Sequence, residues 1–126
     1  MKYVDDSSLP QLSDKDFEAE RATARPYTLC ILKPGPRFET ADPNNITETF
    51  RVIMQHGKRN VALYMAGLLP VVCPVADGGD IAGVGIFDAT AEDVERIMSD
   101  DPAVKAEILT YELHPTRSFP LPNRFL

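Results

Sequence analysis

The chain has 126 residues, 44% apolar and 25% charged, which is the balance of one globular domain and excludes disorder over most of its length. Its net charge is −6 and its pI about 4.8; with no basic cluster, nucleic acid and polyanionic membranes are poor partners. The longest uncharged run, residues 60–76, is shorter than the roughly 20 residues of a spanning helix and contains Gly67, Pro70 and Pro74, so no membrane segment is expected.

The opening MKYVDDSSLPQ lacks the apolar core of a signal peptide. Residues 1–26 read as an N-terminal extension with one short helix. Ser13 and Asp16 have capping-box spacing, Leu12 and Phe17 have staple spacing, and the helix should run over 14–22. Residues 27–32 (YTLCIL) are the first strand, followed by a Pro/Gly loop through Pro34, Pro36 and Pro43. Asn45 and Glu48 suggest the start of a long helix. Its apolar or small stripe, Ile46, Phe50, Ile53, Gly57, Val61 and Tyr64, should be the buried face, with Gly57 marking a kink or a close approach. Gly67 suits the helix end.

Residues 68–75 form the second strand, placed at an edge by Pro70, and ADGGD (76–80) is a turn. Residues 81–87 form the third strand. Its Gly83 and Gly85 are no dinucleotide fingerprint, because no helix start follows them directly. Thr90 and Asp93 open a second main helix with Val94, Ile97 and Met98 inward. Asp101-Pro102 starts a short turn, and residues 108–114 are the last strand. Residues 27–115 therefore form a β-α-β-β-α-β domain of the α+β class, a ferredoxin-like four-stranded antiparallel sheet under two helices. Residues 116–126 form an extended, Pro-rich tail.

In the last strand Leu109, Tyr111 and Leu113 alternate with Thr110, Glu112 and His114, so the first set should pack on the helices. The second and third strands are apolar on both faces. A sheet covered on one side only should alternate more cleanly, and a second copy of the chain is the economical cover. Two such sheets face to face would enclose a partly apolar interior carrying polar groups such as Glu112, a natural small-molecule site.

His56, Gly67 with Leu69, Pro74, Asp101-Pro102 and Tyr111-Glu112 follow one another in an order that resembles the YCII-related (YciI-like) proteins. The stretch DPAVKAEILTYELHP (101–115) is similar to their closing segment, and KPGP (33–36) to a feature of longer members. The resemblance covers about residues 27–115. It implies the dimeric α+β barrel fold, a homodimer, and a His–Asp active-site pair at His56 and Asp101. The family includes chloromuconolactone dehalogenase-like enzymes, and muconolactone isomerases share the wider fold. Two positions depart from the pattern: Cys73 precedes Pro74 where the family usually has Gly, and Glu107 stands where Gly is frequent.

On this reading His56, assisted by Asp101, moves a proton in an isomerisation, lyase or dehalogenation of a muconolactone-like metabolite, with no metal or organic cofactor. Cys73, Pro74 and Glu112 would line the substrate site. Each residue also has a plain structural role: His56 beside a helix core, Asp101 as an N-cap, Glu112 as a solvated strand residue, His114 on the surface. Cys30 and Cys73 have neither a CxxC partner nor a His pair at zinc spacing, so buried reduced thiols in a cytoplasmic protein are expected. A non-catalytic binding or accessory module on the same scaffold is the alternative function. Haem use, known on the wider fold, has no independent support in the residues.

Overall fold

The computed structural model describes residues 5–39, 44 and 47–122. After a 3-10 turn at Asp6–Ser8 come α1 (Asp14–Arg21), β1 (Arg25–Pro34), α2 (Glu48–Met65), β2 (Val71–Pro74) and β3 (Gly83–Phe87). Then follow α3 (Ala91–Ser99), a single turn α4 (Pro102–Lys105) and β4 (Leu109–Ser118). The sheet is antiparallel throughout, in the order β2-β3-β1-β4. The chain is thus α+β and ferredoxin-like, with β2 at an edge as expected, although β2 is shorter than the expected 68–75 and Pro70 precedes it.

Caps fix most of the helix starts. Ser13, Thr90 and Asp101 accept from the amides of Asp16, Asp93 and Ala103. The cap of α2 is Thr47, which accepts from the amide of Phe50, two residues after the expected start at Asn45. Asn45, Ile46, Pro43 and Phe125 lie outside the described residues. At the other end of α2 the amides of Gly67 and Leu68 bond the carbonyls of Tyr64 and Leu63, and Gly67 has φ 81°. This is a Schellman ending, which glycine makes easy.

Two strands are longer than expected. Arg25 pairs with Ser118 in register, so β1 starts before Tyr27 and β4 consumes the first residues of the tail. Pro26 and Pro115 are tolerated because β3 reaches only to the partner of Thr28 and β4 is an edge, leaving sides where no amide is needed. Ile81, assigned to the third strand, precedes it and is exposed.

The helices cover one face of the sheet. Cys30, Leu32, Phe87 and Leu109 pack there with Val52 of α2, Val94 and Met98 of α3, and Ala103 of α4. The buried stripe of α2 is Thr49, Val52 and His56, so the expected stripe is rotated. Val61 is 57% exposed. Gly57 causes no break in α2, and an added Cβ would meet nothing within 4 Å.

On the other face, cross-strand partners form rows. Cys73, Val84, Ile31 and Glu112 make one, and Val71, Ile86, Leu29 and His114 the next. Leu29, Ile31, Val71, Val84 and Ile86 remain half-buried, with no helix over them among the described residues.

Candidate functional site

The long α2 brings His56, Arg59 and Asn60 onto one side, since residues three and four apart are neighbours on a helix. The Asp-Pro start of α4 brings Asp101 against them. His56 is 8% exposed and Asp101 is fully buried. Asp101 works with both oxygens: Oδ1 accepts from the amides of Ala103 at 2.8 Å and Val104 at 3.4 Å, and Oδ2 lies 2.7 Å from His56 Nδ1. The N-cap role and the histidine-pairing role coexist on one side chain.

An ionised carboxylate only accepts, so the Nδ1 proton belongs to His56 and its Nε2 is left to act. Nε2 lies 3.1 Å from the side-chain nitrogen of Asn60. In the neutral ring Nε2 accepts from that amide; with the amide turned over, Asn60 would accept from a protonated ring. Burial pushes the Asp101 carboxyl up. The hydrogen bond and charge of His56, with the Ala103 and Val104 amides, outweigh this and hold it below the ordinary carboxylate range. Arg59 Nη1 stands 3.6 Å from Asp101 Oδ2, too far to bond, and is buried without a hydrogen-bond partner. The Cys30 thiol lies near the pair. Burial and, after it, the Asp101 charge push its pKa up to about 12, which makes it inert as a nucleophile.

The remaining expected site residues are elsewhere. Cys73 and Glu112 share a row on the uncovered face, on opposite edges of the sheet and about 14 Å apart by strand spacing. Pro74 shares its row with Gly83 and Leu32, on the helix side of an edge strand, and is exposed. Cys73 is exposed, which corrects the expectation of a buried thiol; it stands on an edge strand, on the face away from the helix-side core. Glu112 pairs with Lys33 and His114, and those contacts, Lys33 first, lower its carboxyl pKa. Among the described residues the sheet therefore stands between His56 and Glu112.

Two shallow recesses, of about 430 and 260 Å³, meet at Pro36, and neither touches His56 or Asp101. Among the described residues no group of three or more His, Cys, Asp or Glu is placed to hold a metal, and no helix is long and apolar enough to cross a membrane. Arg59 and Asn60 were missed in the sequence. The signal was present as the i+3 and i+4 neighbours of a candidate histidine.

No family model matches this chain, and no curated protein does. Among solved structures it is similar to a protein of unknown function from Rhodopseudomonas palustris, at 16% identity and a TM-score of 0.36, over 89% of this chain and 96% of that one.

Proposed function

We propose that this chain is a YCII-related (YciI-like) protein that pairs with a second copy through the uncovered sheet face and binds a small organic metabolite. His56, held by Asp101, moves a proton on that metabolite in a cofactor-independent isomerisation, lyase or dehalogenation step. The observation that carries this reading is the buried 2.7 Å contact between His56 Nδ1 and Asp101 Oδ2. A base held by an orienting carboxylate, once its second nitrogen is released by Asn60, is the arrangement general acid–base catalysis needs. Homodimer formation is supported by the apolar residues on the uncovered face, which one chain leaves half-buried.

Catalysis requires the Asn60 amide to give way to substrate at Nε2, and the substrate reaches the pair from the helix side. The test is a thermal-shift screen of lactones and small organic acids, followed by NMR of each binder for turnover. Turnover by the wild type, lost in His56→Gln with ligand-free melting retained, is the expected result. Turnover surviving in His56→Gln would end the catalytic reading.

The second reading is a non-catalytic binding or accessory module. It is favoured by one observation: both ring nitrogens of His56 are engaged, and neither of the two recesses described above is lined by it. Binding without turnover in the same screen would select it.

A further inference from the structure

Two exposed apolar surfaces lie away from both the His56 pair and the uncovered sheet face. The first is the N-terminal arm. None of residues 5–21 is buried, and Leu9, Leu12 and Phe17 stand 48%, 58% and 52% exposed. Its helix α1 is eight residues long, a length that is marginal in water unless something packs against it. The Ser13 cap and an exposed Arg21–Glu18 pair at 2.8 Å add little to that.

The second surface is the outer side of α2. Met54, Val61 and Met65 are spaced seven and four apart, so they share one face at 100° per residue. They are 49%, 57% and 55% exposed, on the side opposite Val52 and His56. Gly57 lies beside them with open space above it. The periodicity through Phe50, Gly57 and Val61 thus traces an apolar stripe that one chain leaves largely uncovered.

Charge matches the two surfaces. α1 carries Asp14, Asp16, Glu18 and Glu20 against Lys15 and Arg21, and Asp5 and Asp6 precede it. α2 carries Arg51, Lys58 and Arg59 against Glu48 alone, a basic element in a chain of net charge −6. By helical position Arg51 and Lys58 border the Met54–Val61–Met65 stripe.

The root of the arm is pinned. The amides of Thr23 and Ala24 bond the carbonyls of Glu20 and Arg21, Arg117 Nη2 donates to the Ala24 carbonyl at 2.7 Å, and Arg25 pairs with Asp88 at 2.9 Å. The connection from α1 to β1 is therefore short and bonded on both sides, and with this root α1 buries nothing on its own chain.

We propose that the arm of one copy packs on the outer stripe of α2 of a second copy. Leu12 and Phe17 meet Met54, Val61 and Met65, and the acidic positions of α1 face Arg51 and Lys58. The contact uses neither His56 nor the uncovered sheet face, so it stands apart from the function proposed above.

The test uses the full chain carrying Ile31→Asp, which removes pairing through the uncovered face. In a mixture of isotope-labelled and unlabelled copies, NOEs from the Phe17 ring to the methyls of Met54, Val61 and Met65 are expected between copies. Phe17→Asp and Val61→Asp should each weaken the residual self-association at least about tenfold in sedimentation velocity, with folding checked by circular dichroism. Salt should weaken it too, since the charges are exposed. NOEs confined to one copy, no such NOEs, or an unchanged dissociation constant in both variants would overturn the proposal. If Ile31→Asp itself aggregates, the same NOE experiment on the wild-type chain decides.

Discussion

On the helix side of the sheet Cys30, Leu32, Phe87 and Leu109 are buried, and the charged Asp101 among them has partners for both oxygens. On the other side Leu29, Ile31, Val84 and Ile86 are half-buried, and the charges at the β4 edge, Lys33, Glu112 and His114, pair with one another at the surface. In the first region the buried Asp101 is held by geometry that a single chain completes. Apolar groups in the second are left half-buried by the described residues. On the function proposed above, the first would position a proton and the second would mediate association.

The largest expected effect separates the two regions by stability. Asp101→Ala removes a cap and strands a buried imidazole, and should cost about 3 kcal/mol in urea unfolding. Glu112→Ala, an exposed strand residue, should leave the urea midpoint unchanged. Equal losses would erase the contrast.

Ile31→Asp sharpens the other half of it. The variant should remain folded by circular dichroism and sediment with the uncovered-face dimer lost. Wild-type chain that is already free of that dimer would count against association through this face.

Acid should act on the helix side. The folded pKa of Asp101 lies below its unfolded value of about 3.9. Its stabilising contribution is therefore complete above that value and is lost as pH falls through the lower, folded value. Urea midpoints between about pH 2 and 6 should fall less steeply in Asp101→Asn than in the wild type.

The smallest effects are local to the backbone. Gly57→Ala, in a continuous helix with open space at the Cβ, should stabilise by about 1 kcal/mol. Glu107 has φ 61°, a left-handed backbone that glycine adopts more easily; Glu107→Gly should stabilise by up to about 1 kcal/mol. Thermal melts check both.

Capping residues and strand order were readable from sequence because they depend on neighbours along the chain. Ser13, Thr90 and Asp101 cap as their spacing predicts. The pairing of His56 with Asp101, 45 residues apart, was available only through resemblance, since spacing along the chain cannot report a contact across a fold. The buried face of α2 was misjudged because the helix is apolar on two sides, and periodicity cannot tell a stripe facing its own core from one left exposed. Alternation in β4 correctly set Leu109, Tyr111 and Leu113 on the helices and Glu112 away from them; Cys73 and Glu112 were grouped with His56 through the expected dimer interior and the resemblance, which alternation within one chain does not report. Arg25–Ser118 pairing was hidden by Pro26 and Pro115, which break a central strand but not an unpaired flank.

The most direct measurement is amide chemical-shift mapping of the first small molecule found to bind. The account predicts perturbations at His56, Asn60, Asp101 and Ala103, on the helix side of the sheet. Perturbations confined to Leu29, Ile31, Val84 and Glu112 would contradict it and return the ligand to the space between two sheets.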